Sequence, residues 1–206
     1  MLRSLKRIFE EKRLFGWTGL LIFMGLLLLF TASKGVFIRE ALFLKQCLWL
    51  VLGTTIAVFV KKVDYRDIQR FAPVLYIGIL FCLILTLFIG RGSGASRWIR
   101  LGWFNFQPSE FAKLITIITL AAYLAEKDIR RLPVMLFSLF IVGLPFLFVL
   151  KQPDLGTAFI FIILFFAILY QSGGSKGQII TLIIIGILSS PILWAVMKPY
   201  QRERIL

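Results

Sequence analysis

The sequence contains no histidine, and only two of its 206 residues are cysteine. Without histidine, Ser-His-Asp chemistry and most zinc sites are excluded. Two cysteines make no disulfide framework and no thiolate metal motif. Cys47 and Cys82 both fall inside long apolar runs, where a thiol is a small packing group. Acid is scarce as well: ten Asp and Glu stand against 24 Lys and Arg. The nearest thing to a phosphate-binding glycine loop is "GRGSG" at Gly90–Gly94. It lacks the following Lys-Ser/Thr and comes after an apolar run rather than a strand, so it reads as a flexible connection. No internal repeat is visible, and no stretch is long enough for a soluble domain.

Apolar residues fill the sequence instead. They make up 59% of the chain, with 21 Phe, and mean hydropathy is +0.90. A soluble domain is about 45–50% apolar. Seven runs are long enough to cross a hydrocarbon layer of about 30 Å as helices. They are Leu14–Ser33, Ala41–Val60, Phe71–Ile89, Pro108–Ala125, Pro133–Leu150, Leu155–Gln171 and Ile179–Met197. Strands are excluded from these runs because barrel strands alternate with period two and open sheet edges go unpaired in lipid. The expected fold class is therefore an all-α integral membrane protein, a polytopic helical bundle of about seven transmembrane helices forming one membrane domain over 1–206. The fifth and sixth runs are divided only by "KQPD"; their combined length calls for two full spans rather than one broken pair. Pro145 and Pro191 fall within spans and are expected to kink them.

The N-terminal "MLRSLKRIFEEKR" ahead of its apolar run reads as a retained signal anchor. With that end in the cytoplasm, thirteen Lys and Arg face inward, ten face outward and Lys113 lies within a span. The bias is small but favours a cytoplasmic N-terminus. Inner basic residues are accounted for by anionic lipid headgroups, so the formal charge of +14 does not call for nucleic acid. The outer arginines leave two readings open. Arg91, Arg97 and Arg100 share one segment, and Arg202 and Arg204 with Lys151 fall on the same side; they make either an anion site or scattered headgroup contacts.

Polar chemistry concentrates in "GASRWIRLGWFNFQPSEFAKL", Gly94–Leu114, and in "KQPDLGTA", Lys151–Ala158. The only outer carboxylates are Glu40, Glu110, Asp154 and Glu203. Pro108 suits the first helical position, making Gln107 the cap and placing Glu110 in the first turn, where the helix dipole favours it. Lys113 is three residues on and shares its face. Either the pair caps and snorkels, or it lines a wet cavity, since a lipid-facing charge is costly. Asp154 is a good N-cap, and Gly156 and Thr157 permit close packing. Trp98 and Trp103 suit the interfacial aromatic belt or stacking on a sugar ring. The outer loop, 90–107, is expected to carry "RWIRLGWFNF" as a flat interfacial segment.

These two motifs, in this order, resemble the signature pair of the RodA/FtsW family, the shape, elongation, division and sporulation proteins of bacteria. The ending "YQRERIL" is closer to the elongation branch, RodA-like, than to the division branch. The resemblance implies a ten-span protein of the inner (plasma) membrane. Its activity would be polymerisation of lipid II, the undecaprenyl-diphosphate disaccharide, into glycan strands. A single-span penicillin-binding transpeptidase would be its partner. By that resemblance Gln107, Glu110, Lys113 and Asp154 line a central cavity, with Arg97 and Trp98 at its mouth. It also implies that these residues are the N-terminal half of a longer fold, whose acidic general base lies in an outer loop beyond Leu206. Glycosyl transfer needs a carboxylate to take the attacking hydroxyl's proton and positive charge at the departing diphosphate. Arginine is well shaped for phosphate, which suits Arg97, Arg100, Arg202 and Arg204. A divalent cation such as magnesium or manganese could share that work, although no ligand set demands one. Two rival functions use the same residues: a lipid-linked precursor transporter (flippase) and a non-catalytic scaffold for the transpeptidase.

Overall fold

A computed structural model of the chain describes residues 2–33, 37–89, 97–101, 104–196 and 202. Seven helices and one small hairpin occur among them, and they divide into two compact units, residues 1–63 and 64–206.

The first unit is a pair of packed helices, α1 (Leu2–Ser33) and α2 (Phe37–Val60). Phe30 and Phe43 meet edge to face, with ring centroids 5.5 Å apart. Apolar side chains cover α2, and its Thr54 and Thr55 hydroxyls donate back to the carbonyls of Leu50 and Val51 at 2.8 Å. A hydroxyl satisfied within its own helix can face lipid without an orphaned donor. Charged residues at the start of α1 continue the helix because Leu, Arg, Lys and Glu are good helix formers.

The second unit runs α3 (Tyr65–Ile89), β1 (Ile99–Leu101), β2 (Phe104–Phe106), α4 (Pro108–Leu124), α5 (Leu132–Lys151), α6 (Leu155–Gln171) and α7 (Lys176–Val196). Helix α4 is central and packs on α3, α5 and α6, while α7 leans on α6. Leu83 of α3, Leu120 of α4, Val149 of α5 and Phe161 of α6 are fully covered. Ala72, Ala112 and Ala158 are buried between them and let backbones approach. Buried polar groups are tied locally or across helices: Ser138 Oγ donates to Val134 O at 2.8 Å, and the Tyr76 hydroxyl donates to Ile141 O at 2.6 Å, joining α3 to α5.

Helices α4 to α7 follow the predicted runs closely, α6 with the same limits, while α1, α2 and α3 begin earlier than predicted. Helices α5 and α6 are separate, of 20 and 17 residues, so the two-span expectation holds. Segments Leu42–Val60, Tyr65–Ile89 and Leu132–Lys151 are long and apolar enough to cross a membrane outright. At 17 residues, α4 and α6 sit at the lower limit for a span. Pro145 and Pro191 lie inside α5 and α7, and Pro73 inside α3. Cys47 and Cys82 are free and half-buried.

One end of the second unit is fixed by its turns. Helix α6 closes in a Schellman turn: Gly174 N–H donates to Leu169 O at 2.9 Å and Gly173 N–H to Tyr170 O at 3.2 Å. Gly173 has φ +78, and a Cβ on Gly174 would meet Leu169 O at 2.7 Å. Ser175 and Gln178 then exchange hydrogen bonds at 2.9 and 3.1 Å, a capping box that starts α7. Gln178 Nε2 also donates to Ile129 O at 3.0 Å, and Arg130 Nε donates to Gly173 O at 2.9 Å. The α4–α5 and α6–α7 turns are thereby locked together, leaving the opposite end for the polar motifs.

One expectation is corrected. The described part of "RWIRLGWFNF" is an antiparallel hairpin, not a flat amphipathic segment: Ile99 pairs with Phe106, Arg100 with Asn105 and Leu101 with Phe104. The hairpin stands between the end of α3 and the start of α4, where its backbone groups are paired before the chain enters the apolar layer.

Candidate functional site

Two Gln-Pro turns define the polar end of the second unit. At the first, Gln107 has extended backbone (φ −111, ψ 100), and Pro108 opens α4. The Gln107 side chain does not cap the helix; its Nε2 donates to Ser109 Oγ at 3.1 Å. Phe106 and Phe111 stack with centroids 5.0 Å apart across this turn. That contact between the positions before the cap and four into the helix is a hydrophobic staple, and it fixes how the hairpin feeds α4. Lys113 Nζ donates to both Glu110 carboxylate oxygens at 2.9 Å. The Glu110 side chain is 53% exposed and that of Lys113 20%, so the lysine head is held by the acid at the helix start.

At the second turn Asp154 caps α6. Its Oδ1 accepts from Thr157 N at 3.3 Å and its Oδ2 from Thr157 Oγ1 at 2.9 Å. Arg97, immediately before the hairpin, reaches this turn from elsewhere in the chain. Its Nε donates to Gln152 O at 3.4 Å and lies 3.7 Å from Asp154 Oδ2, and its terminal nitrogen donates to Pro153 O. One guanidinium thus engages three consecutive residues. The side chains of Arg97 and Asp154 are 22% and 11% exposed, so little water screens their attraction. Arg97 also sits beside the carbonyl-rich end of α5, where positive charge is favoured.

A third element of this end went unrecognised in the sequence. Gln152 is 1% exposed, and its Nε2 donates to Leu83 O at 3.1 Å and Thr86 Oγ1 at 2.9 Å. It ties the end of α5 to the end of α3, behind the turn that Arg97 grips. Its Oε1, and Thr116 Oγ1 on α4, are buried without a hydrogen-bond partner among the described residues. The only signal was that "QP" recurs in both turns; it gave no hint that the second glutamine points inward.

Among the other predicted residues, Trp98 is 41% exposed, as suits an interfacial ring. Arg202 Nε and a terminal nitrogen donate to Trp194 O at 3.1 Å and Ala195 O at 3.0 Å, closing the last turn of α7, with the guanidinium 5.7 Å from the Trp194 ring centroid. Two of its five N–H donors are so occupied among the described residues. Arg100 has its backbone in β1, but its side chain lies outside the described residues, as do Arg91, Trp103, Glu203 and Arg204. No three acidic or cysteine side chains are grouped as a metal site among the described residues. Asp154 and Glu110 already turn both oxygens to Thr157, Arg97 and Lys113, so these residues do not by themselves form a cation site. The ends of α4 and α6 therefore present two acid–cation pairs, each neutral overall, on helices that pack against each other.

Known proteins are similar to this chain in sequence and fold. The family described as cell cycle protein, comprising FtsW, RodA and SpoVE, matches residues 12–206. A probable peptidoglycan glycosyltransferase FtsW from Aeromonas salmonicida is 33% identical over 199 residues, covering 90% of this chain and 49% of that protein. A peptidoglycan glycosyltransferase RodA from Treponema pallidum is 34% identical over 159 residues, covering 73% and 36%. Among solved structures, a chain from work on the structural coordination of polymerization and crosslinking by a peptidoglycan synthase complex superposes with TM-score 0.74 at 29% identity, over 92% of this chain and 57% of that one. The rod shape determining protein RodA of Thermus thermophilus superposes with TM-score 0.64 at 27% identity, over 80% and 58%. The chain spans about half the length of the curated relatives it matches. It is similar to FtsW and RodA proteins to nearly the same degree, and on the family match along almost its whole length it belongs to the FtsW/RodA/SpoVE family of cell cycle proteins.

Proposed function

We propose that this chain supplies the N-terminal membrane half of a peptidoglycan glycosyltransferase that polymerises lipid II into glycan strands, in the elongation of the cell. The observation that carries the reading is the Arg97–Asp154 pair, held at the turn between α5 and α6 with little exposure. Lipid II presents a diphosphate, and arginine beside a helix end is suited to receive negative charge as the diphosphate departs. Asp154 is a positioning group for Arg97 rather than the proton acceptor, because both its oxygens already accept hydrogen bonds or pair with charge. In this reading Gln107, Glu110, Lys113 and Asp154 serve the substrate site, Arg97, Arg100, Arg202 and Arg204 bind the diphosphate, and Trp98 and Trp103 stack on a sugar or belong to the interface. Magnesium or manganese, if used, would rest largely on substrate oxygens.

The protein sits in the bacterial inner membrane with its N-terminus in the cytoplasm. The basic residues Lys127, Arg130, Arg131 and Lys176 at the locked turns support that orientation. Its partner is a single-span penicillin-binding transpeptidase, a reading supported by the structural relative in which polymerisation and crosslinking are coordinated. The test is glycan synthesis from labelled lipid II by the purified full-length protein with its partner. Glu110→Gln is expected to abolish polymer while the protein elutes as a folded species. Unchanged polymer yield would remove Glu110 from the site. Movement of lipid II across vesicles without elongation would replace the polymerase with a transporter.

A further inference from the structure

A cavity of about 620 Å³ opens between α3, α4 and α5, at the end of the second unit away from the Arg97–Asp154 turn. Its walls come from the first half of α3, the last turns of α4 and the first half of α5. The volume is that of a small-molecule site, and the interior is mostly apolar. Ala72, Pro73, Ala122, Phe140 and Ile141 line it, and of the three hydroxyl side chains in its wall, Tyr76, Thr119 and Tyr123, the first two are already engaged. Tyr76 donates to Ile141 O at 2.6 Å and Thr119 to Ile115 O at 2.8 Å. The mouth is different. Arg66, Gln69 and Arg70 line it, both arginines are exposed, and neither forms an ion pair among the described residues. No carboxylate lines the cavity.

Helical spacing explains this separation. Arg66, Gln69 and Arg70, Pro73, then Tyr76 and Ile77 recur three and four apart, forming one face that leads from charge to grease. Asp67 is one residue from Arg66, about 100° around the helix, and does not line the cavity. Asp64 uses Oδ1 to accept from Arg66 N at 2.9 Å, and Asp128 Oδ1 accepts from Arg130 N at 3.0 Å, so both acids brace their own turns. From the turn after α4, Lys127 Nζ stands 3.9 Å from the centroid of Tyr123, whose ring lines the cavity, adding a third cation beside the mouth.

We propose that this cavity binds one anionic glycerophospholipid, with an acyl chain between α3, α4 and α5 and the phosphate at Arg66 and Arg70. The apolar interior fits a hydrocarbon chain, and the two exposed arginines, which form no ion pair with Asp64 or Asp67 among the described residues, fit a headgroup of net negative charge, which a zwitterionic lipid does not supply. The site is independent of glycan polymerisation, since none of its residues belongs to the Gln-Pro turns.

The test is native mass spectrometry of the purified full-length protein in a non-ionic detergent, titrated with phosphatidylglycerol or phosphatidylcholine of the same acyl chains. Phosphatidylglycerol is expected to bind more tightly. Arg66→Gln with Arg70→Gln is expected to weaken it about thirtyfold while leaving phosphatidylcholine unchanged. Arg66→Lys with Arg70→Lys keeps the charge and should retain most of the binding. Ala122→Trp fills the cavity and should remove the tight site for both lipids. Equal affinity for the two lipids, or full phosphatidylglycerol binding by the double Gln or the Ala122→Trp variant, would overturn the proposal. So would a photo-crosslinker at Ile77 that captures polypeptide instead of lipid.

Discussion

Asp154 can be a helix cap, a charge partner for Arg97, or both, and Asp154→Asn separates these roles. Asparagine caps a helix about as well as aspartate, so the contacts with Thr157 N and Oγ1 can be kept. What disappears is the charge 3.7 Å from Arg97 Nε. Two unit charges at that distance attract by about 4–5 kcal/mol in a medium of effective dielectric about 20. Removing a carboxylate with little exposure also removes its desolvation cost, which offsets much of that attraction. Arg97 keeps the carbonyls of Gln152 and Pro153. The net stability loss should therefore be about 1–2 kcal/mol, a shift of a few degrees for a domain of this size. Asp154→Ala loses the cap as well and should cost about 1 kcal/mol more. Thermal unfolding in detergent measures both losses, and glycan synthesis from labelled lipid II measures function. Asp154→Asn should remain folded yet lose at least about tenfold in polymer yield, because Arg97 loses the one charged partner among the three groups that position it for the diphosphate. Full polymer yield from a folded Asp154→Asn protein would reduce Asp154 to a cap and refute the site.

Gln152→Leu removes two buried hydrogen bonds that join α5 to α3, while the Thr86 hydroxyl keeps its donation to Cys82 O and Leu83 O, so it should destabilise by about 1–3 kcal/mol in the same unfolding assay. Gly174→Ala should be harsher than Gly173→Ala. The first drives a Cβ to 2.7 Å from Leu169 O, while the second meets a backbone of φ +78 at about 1 kcal/mol, and melting temperatures of the two variants compare them. Lys113→Met should cost under about 1 kcal/mol, since its partner Glu110 is 53% exposed, but should reduce glycan synthesis with Glu110 left unpaired.

Hydropathy located the helices because a lipid-spanning segment must be apolar along its length. For α6 it gave both limits, since Asp154 marks the start and "QSGG" the stop. It underestimated α1 and α3, which continue through charged residues that favour helix but oppose burial in lipid. The hairpin escaped notice for a different reason. Each strand is three residues, too short for alternation to register against aromatic and aliphatic neighbours. Local chemistry at the two Gln-Pro turns was legible: Pro108 at the helix start, the Glu110–Lys113 pair and the Asp154 cap all follow from spacing within a few residues.

Long-range chemistry was not legible, and the two Gln-Pro turns show why. The pattern of "FQPSE" and "KQPD" is nearly the same, yet their glutamines do different work. Gln107 donates to Ser109 within its own turn, whereas Gln152 reaches across to Leu83 and Thr86 on α3. The difference lies in the neighbours: α5 ends against α3, which leaves Gln152 1% exposed, while Gln107 remains half-buried beside the hairpin. A buried amide must find partners wherever packing has put them. Arg97 likewise finds Asp154 only because the hairpin returns the chain from α3 to α4 next to the α5–α6 turn. The sequence therefore names the charged groups that can act at this end, and the helix contacts decide which cation answers which acid.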